Sequence, residues 1–141
     1  MSIHGGMSTI DSAHRKLCHE LLDAIEQGDL AAVDRCYAPE MTMWFNVTGE
    51  TSTREQNLEA LAKGRELQRR RLYNDRHIDT FADGFIARYT CNVVLHDGST
   101  AALWACLVAE VRDGKIVKLS DYLDSSKFRP RRRTPSAEPA S

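Results

Sequence analysis

Four segments in the second half of the chain alternate between apolar and polar residues, which is the pattern of half-buried β-strands. No other feature of the sequence restricts the fold as strongly. The segments are Tyr73 to Phe81, Phe85 to His96, Thr100 to Val111 and Ile116 to Leu123. They are separated by short turns that contain glycine: Ala82-Asp83-Gly84, Asp97-Gly98 and Asp113-Gly114. Such turns connect antiparallel neighbours, so the sequence predicts a meander of four strands.

The last of these segments contains an acidic residue in an apolar row. Side chains two residues apart lie on the same face of a strand, so Asp121 is predicted to share a face with three aliphatic residues, Val117, Leu119 and Leu123. Burying a carboxylate without compensation costs roughly several kcal/mol, so Asp121 requires a hydrogen-bond partner, a raised pKa or an open cavity. The alternative is that Asp121 lies at the frayed end of the strand and is solvated.

The first half of the chain has the spacing of helices. Residues 1–8 are expected to form a disordered lead, with ordered structure beginning at Thr9. From there to Gly28, apolar residues recur at helical spacing, at Ile10, Ala13, Leu17, Leu21, Leu22 and Ile25. A second, shorter helix over residues 30–38 begins after the capping residue Asp29 and ends at Pro39.

A strand and a third helix follow. Alternation with a period of two predicts a strand over residues 41–48, with Trp44 and Asn46 on one of its faces. Residues 54–71 have the spacing of a helix, and the three arginines at positions 69–71 suit the negative end of its dipole. We interpret these arginines as a solvated helix terminus, and the alternative is a patch that binds phosphate or nucleic acid.

The strand predicted over residues 100–111 is apolar on both faces. Leu103, Ala105 and Leu107 lie on one face, and Trp104 and Cys106 lie on the other. A strand of this composition is usually covered on both sides. Because three helices cover only one face of a single sheet, we expect a second subunit on the outer face, which predicts a homodimer.

Length, charge and cysteine content narrow the class of protein. The chain has 141 residues and a formal net charge of −1, which suits one domain, predicted over residues 9–128, and gives no indication of nucleic-acid binding. No run of 18 apolar residues predicts a membrane span, and the four cysteines lack metal-site or disulfide spacing, so we expect a cytoplasmic protein. Residues 129–141, rich in Arg, Pro and Ser, are expected to be a disordered tail.

Two stretches of the sequence resemble a known superfamily. The first is AIEQGDLAAVDRCYAPEMTMWF, residues 24–45, and the second is DGKIVKLSDYLDSSKF, residues 113–128. They resemble the nuclear transport factor 2-like superfamily, especially SnoaL-like polyketide cyclases, ketosteroid isomerases and limonene epoxide hydrolases. The resemblance implies an α+β fold in which three helices pack on a strongly curved, mixed or antiparallel sheet. This cone-shaped barrel is expected to enclose an apolar pocket.

The resemblance also implies roles for individual residues. Asp121 matches the acid/base aspartate that the cyclases and epoxide hydrolases carry on their last strand, and Asn46 resembles a pocket-facing asparagine of the hydrolases. Other residues typical of these families are absent. Phe45 occupies the position of the base of ketosteroid isomerases, and Leu21 lies near the position of the tyrosine that donates a hydrogen bond to the oxyanion. The Arg-x-Asp pair of the epoxide hydrolases, expected at residues 91–93, is also missing.

Further candidate residues follow from the strand pattern. His77 and Asp79 lie two apart on a predicted strand, so His77 is a candidate second acid/base group with Asp79 orienting it; the alternative is a surface histidine among charges. The candidate substrate-binding residues are Trp44, Asn46, Tyr73, Tyr89, Trp104 and Leu119. For Tyr89 the alternative is packing in the core, and for the two tryptophans it is a place in the pocket wall or an interface.

Metal and cofactor chemistry are not predicted. Asp75, His77 and Asp79 superficially resemble a ligand set, but along a strand their side chains spread roughly 7 Å apart, which is too wide for one ion. The glycines occur in turns and not in a phosphate-binding loop before a helix, so no nucleotide is implied.

These observations favour a cofactor-independent acid/base enzyme with Asp121 as its central residue. The expected reaction is isomerisation, cyclisation or dehydration of a small hydrophobic carbonyl substrate, such as a steroid or polyketide, because a desolvated carboxylate takes and returns protons near neutral pH. One alternative is a non-catalytic dimeric module that binds a small molecule or a protein. A further alternative is epoxide hydrolysis.

Overall fold

The computed structural model describes residues 2–127 as three helices and six strands. The helices are α1 (Ser2–Gln27), α2 (Leu30–Cys36) and α3 (Arg54–Leu67). The strands are β1 (Tyr37–Phe45), β2 (Glu50–Thr53), β3 (Gln68–Phe81), β4 (Gly84–Leu95), β5 (Thr100–Arg112) and β6 (Lys115–Leu123), and a short 3-10 turn, Ser125–Lys127, follows. None of the helices in this part of the chain is long and apolar enough to cross a membrane. The predicted tail, residues 129–141, lies outside the described residues.

The six strands form one mixed sheet in the order β2-β1-β6-β5-β4-β3. Strand β1 pairs in parallel with β6, and every other neighbouring pair is antiparallel. The predicted meander is therefore confirmed as β3 to β6. Its last turn has positive φ at both Asp113 (53°) and Gly114 (76°), which is the backbone conformation that a two-residue hairpin turn requires.

One face of the sheet carries the core. Helix α1 packs against β3 and β4, where Leu21 and Leu22 are fully buried together with Phe85 and Ala87. Helices α2 and α3 close the same side near β1. The opposite, outer face is left uncovered by the helices, and on it Trp104 is 67% exposed. The predicted α+β class, with three helices on one face of a mixed sheet, is confirmed.

Helix α1 begins earlier than its sequence pattern indicated. It starts at Ser2, whereas we expected residues 1–8 to be a disordered lead and the helix to begin at Thr9. The additional stretch contains two consecutive glycines, Gly5 and Gly6. A glycine costs a helix about 1 kcal/mol relative to alanine, which weakens but does not end a helix that continues into a well-packed segment.

The first strand is shifted toward the N-terminus relative to the prediction of residues 41–48. Strand β1 begins at Tyr37 and ends at Phe45, so Pro39 lies inside it. A proline fits here because the pairing with β6 is interrupted between Tyr37 and Thr42, where no donor is needed. The four-residue strand β2, which the sequence pattern did not reveal, then pairs with the end of β1.

The predicted third helix is too long by four residues. Helix α3 ends at Leu67, and Gln68 to Arg71 form the first part of β3, paired with β4. Arginine and glutamine are good helix formers, but tertiary pairing overrides such weak preferences. The interpretation of the three arginines as a solvated helix terminus is therefore wrong. Arg71 instead lies beside the core.

Two bulges change which side chains share a face. The pairing of β3 with β4 shifts between Asn74 and His77, where Asp75 has a φ of 55°. As a result Tyr73 lies on the inner face whereas His77 and Asp79 lie on the outer one, so the predicted common face of these three residues is wrong. A second shift, in β6, leaves Ile116 rather than Val117 buried in the core.

Candidate active site

A cavity of about 130 Å³ lies on the inner face of the sheet. Its walls come from five strands and are polar and apolar in about equal parts, so the expectation of an apolar pocket is met only in part. The apolar residues of the wall include Phe45, Val93, Leu103 and Leu123. Four polar side chains also reach it: Arg71, Tyr73, Tyr89 and Asp121. A small cavity in which several polar side chains converge beside apolar residues has the character of a ligand site.

Asp121 is the only carboxylate among the described residues that line this cavity. It lies within β6, next to Phe45 on one side and Leu107 on the other, and not at a solvated strand end. Burial raises the pKa of Asp121 from 3.8 to about 6, although the positive charge of Arg71 opposes this effect. The carboxyl group can therefore hold and release a proton close to neutral pH.

Arg71 and Tyr73 form a hydrogen-bonded pair in the same cavity. The Arg71 Nη1 group donates to the Tyr73 hydroxyl at 3.1 Å, and its Nε group donates to Gln68 Oε1 at 2.8 Å. Because the tyrosine oxygen accepts from Arg71, its own O–H is available to donate to a ligand. Burial raises the pKa of Tyr73 to about 12, so the hydroxyl is neutral at physiological pH.

The two tyrosines of the cavity contact each other edge to face, with ring centroids 5.0 Å apart. Burial and the Asp121 charge raise the pKa of Tyr89 well above its ordinary value, so this residue is also a neutral donor. Cys91 lies beside them, and burial raises the pKa of its thiol too, which keeps it protonated and weakly nucleophilic.

The predicted second acid/base pair is not at this site. His77 lines an outer groove of about 530 Å³, together with Trp104 and Tyr122, and Asp79 is exposed on the same outer face. The groove and the inner cavity share Tyr89, Ala105 and Leu123 as lining residues. The bulge at Asp75 separates both residues from Asp121 by turning their side chains to the other side of the sheet.

Of the six predicted binding residues, Tyr73 and Tyr89 line the cavity. Trp44 lies on the outer face, where its ring contacts Tyr122 at a centroid distance of 5.3 Å. The Asn46 side chain accepts a hydrogen bond from the Leu123 backbone N–H at 2.8 Å, which holds the end of β6 in place. Trp104 lies in the outer groove, and Leu119 is packed in the core.

Arg71 and Phe45 are cavity residues that the sequence reasoning missed. Arg71 lies two positions before Tyr73, so extending the alternation of β3 by one pair of residues would have placed both on one face. The helical appearance of residues 54–71 concealed this signal.

Within residues 2–127, no three His, Cys, Asp or Glu side chains are grouped so that they could hold a metal ion. The polar side chains that line the cavity supply hydrogen bonds, a positive charge and a group that transfers protons.

Three helices on one face of a mixed six-stranded sheet, together with the match to a SnoaL-like domain model, identify the cone-shaped fold of the nuclear transport factor 2-like superfamily. Within it, the SnoaL-like domain family matches residues 18–119, and the chain belongs to this family. No curated protein matches the chain significantly.

Solved structures show the same fold at low sequence identity. A candidate polyketide cyclase from Xanthomonas campestris has a TM-score of 0.76 and 19% identity, covering 83% of this chain and 94% of that one. AclR, a candidate hydroxylase from Streptomyces galilaeus, has a TM-score of 0.75 and 14% identity, covering 83% and 78%. A protein of ketosteroid isomerase-like fold from Catenulispora acidiphila, in complex with trimethylamine, has a TM-score of 0.72 and 16% identity, covering 79% and 87%. At these identities the likeness establishes the fold alone.

Proposed function

We propose that this protein is a cofactor-independent acid/base enzyme that isomerises, cyclises or dehydrates a small carbonyl compound. The observation that carries the proposal is a carboxyl group with a pKa of about 6 in a small cavity that also holds the neutral donor Tyr73. A base and a hydrogen-bond donor in one desolvated space are what proton transfer next to a carbonyl requires. Membership of the SnoaL-like domain family supports the same class of chemistry.

In the proposed reaction Asp121 acts as the base. Its ionised carboxylate takes a proton from the carbon next to the carbonyl, and the electron pair of the broken C–H bond moves onto the carbonyl oxygen. The Tyr73 hydroxyl donates to this developing enolate oxygen, an interaction worth roughly 3 to 4 kcal/mol in preorganised sites. Asp121 then returns the proton, to another carbon in an isomerisation or to a leaving hydroxyl in a dehydration.

The cavity limits the size of the group that reacts. At about 130 Å³ it is slightly smaller than an engineered cavity of about 150 Å³ that binds benzene. One ring fits this space, whereas a complete steroid does not. We therefore propose a substrate whose enolisable ring enters the cavity, which narrows the expectation of a steroid or polyketide.

Exchange of carbon-bound hydrogen tests the proposal without knowledge of the natural substrate. We expect the protein to accelerate deuterium incorporation next to the carbonyl of cyclohexanone or 3-oxocyclohexanecarboxylate in deuterated water, followed by proton NMR. Because Asp121 must be ionised to accept a proton, the enzymatic rate is expected to rise with pH through about 6. A rate equal to the protein-free rate for both ketones at every pH would refute the proposal.

The alternatives receive less support from the cavity. Epoxide hydrolysis in the resembling enzymes relies on more than one acidic residue, and Asp121 is the one carboxylate that lines the cavity within residues 2–127. A purely binding function gives no reason for a carboxyl group to be held in a cavity where desolvation raises its pKa to about 6.

We also propose that two copies associate through the outer face. Trp104 is 67% exposed there and Tyr122 is 42% exposed, and the neighbouring residues Thr90, Cys106 and Ser120 are uncharged. A net charge of −1 gives little repulsion between identical copies. Charged residues, among them Arg88 and Asp79, surround these aromatic side chains on the same face. Exposed aromatic residues with a polar rim are typical of an interface between proteins.

Sedimentation equilibrium tests this association. We expect a dimer for the unaltered protein and a monomer for Trp104→Lys, because the substitution places a charge at the centre of the proposed interface. Leu67→Lys is the matched control, since Leu67 is 71% exposed at the end of α3, away from the outer face, and it should remain dimeric. A monomeric unaltered protein at tens of micromolar would contradict the proposal.

A cytoplasmic location is part of the same proposal. Cys18, Cys36, Cys91 and Cys106 are all free thiols, as expected where the environment is reducing. Burial raises the pKa of Cys18 to about 12, so this thiol is protonated and unreactive at neutral pH.

A further inference from the structure

Two arginines on β3 reach the inner side of the sheet, and their positive charges have different kinds of partner. Arg76 is held by two carboxylates of α1, Asp23 at 2.9 Å and Glu26 at 3.2 Å, and its side chain is only 14% exposed. Arg71, on the cavity, has neutral partners, the Tyr73 hydroxyl and the Gln68 amide oxygen. Within residues 2–127 no carboxylate lies within ion-pair distance of it.

Asp121 does not take the place of that missing partner. It lines the same cavity as Arg71, and the two charges influence each other's pKa through space, but they form no ion pair. A shielded guanidinium without a counter-ion is costly, which makes it a ready binding group for an anion. Both groups line the same cavity without pairing, so a ligand in this cavity has access to the cation and to the base.

We infer that Arg71 binds a carboxylate of the substrate, so that the substrate is a one-ring carbonyl compound that carries a carboxylate and not a neutral ketone. This inference rests on the proposed function, because it assumes that the reacting ring occupies this cavity. Guanidinium groups recognise carboxylates through charge-assisted hydrogen bonds, and only two of the five N–H donors of Arg71 have partners among the described residues.

The charges of the proposed reaction agree with this assignment. When Asp121 accepts the proton it becomes neutral, and it no longer offsets the charge of Arg71 even at a distance. A substrate carboxylate on Arg71 keeps that cation compensated throughout the cycle. The same carboxylate, lying near Asp121, disfavours the ionised aspartate and so strengthens it as a base.

Binding of two matched ligands tests the inference. Benzoate and benzamide have the same size and each matches the one-ring cavity, but only benzoate is charged. We expect benzoate to bind at least about ten-fold more tightly at pH 7, measured by NMR titration, because only benzoate forms hydrogen bonds with Arg71 in which both partners are charged. Equal affinities, or no binding of either compound, would overturn the inference, and this comparison needs no variant.

Variants then locate the preference at Arg71. Arg71→Gln is expected to remove the preference for benzoate, whereas Arg71→Lys, which keeps the charge, should retain part of it. Arg70→Met, which removes an exposed charge from the neighbouring position on the other face of β3, is the control and should leave the preference unchanged. Asp121→Asn removes a nearby negative charge and should bind benzoate more tightly. An unchanged preference in Arg71→Gln would place the anion elsewhere and refute the inference.

The outcomes of the two proposals are separable. Deuterium exchange without a preference for benzoate would remove the carboxylate site and leave the proposed function intact. A preference for benzoate that depends on Arg71, without any deuterium exchange, would establish an anion-binding cavity and remove the proposed catalysis.

Discussion

Asp121→Asn is expected to remove most of the proton-transfer activity while making the folded protein more stable at neutral and alkaline pH. Asparagine has nearly the same shape but neither accepts nor releases a proton in this range. General acid–base catalysis contributes roughly 10² to 10⁴ in rate, so we expect a loss of that order in the deuterium-exchange assay. Tyr73→Phe, which removes only the donor to the enolate oxygen, should lose less than the aspartate variant.

The gain in stability follows from the raised pKa. Asp121 titrates at about 6 in the folded protein and at 3.8 when unperturbed, so the folded state binds the proton more tightly. Its contribution to stability is therefore fully present below pH 3.8 and is lost as the pH rises through 6. Above that pH, burial of the ionised group costs about 2 to 3 kcal/mol.

Urea denaturation at two pH values measures this effect. At pH 8 the free energy of unfolding of Asp121→Asn should exceed that of the unaltered protein by about 2 to 3 kcal/mol, and at pH 4 the difference should largely disappear. Asp79→Asn is the matched control, because Asp79 is exposed on the outer face and its replacement should change little at either pH. Equal stabilities at pH 8 would show that the Asp121 carboxylate is solvated.

Gly84→Ala is expected to destabilise the protein by about 3 kcal/mol or more. A Cβ atom at Gly84 would lie 1.8 Å from the backbone oxygen of Ala109 on the paired strand β5. A backbone oxygen in a sheet cannot rotate away, so the strands would have to separate next to Phe85, which is fully buried. Thermal or urea unfolding measures the loss.

Gly64→Ala is the control for this prediction. Gly64 lies in α3, and a Cβ there would meet only the Arg71 Nη2 atom at 3.9 Å, an ordinary contact. Alanine is favoured over glycine in a helix by about 1 kcal/mol, so this variant should be slightly more stable. If the two variants had the same stability, the close approach of β4 and β5 would not be rigid.

The parts of the fold that were predictable are those specified by nearby residues. The hairpin turn at Asp113-Gly114 and the N-cap at Asp29, which accepts from the Ala32 N–H at 3.1 Å, were both evident from short sequence patterns. The unusual position of Asp121 was also evident from the sequence, because its carboxylate interrupts a row of aliphatic residues. Local conformational preference and period-two alternation need no knowledge of the distant chain.

Which other residues join Asp121 was decided only by tertiary structure. Arg71 became a cavity residue because its segment pairs with β4, although the same residues prefer a helix in isolation. His77 left the predicted site because one extra residue at the Asp75 bulge turned every following side chain to the opposite face. The sequence by itself therefore determined the fold class and the acidic centre, whereas strand pairing across the sheet, where a shift of one residue exchanges its faces, determined the partners of that centre.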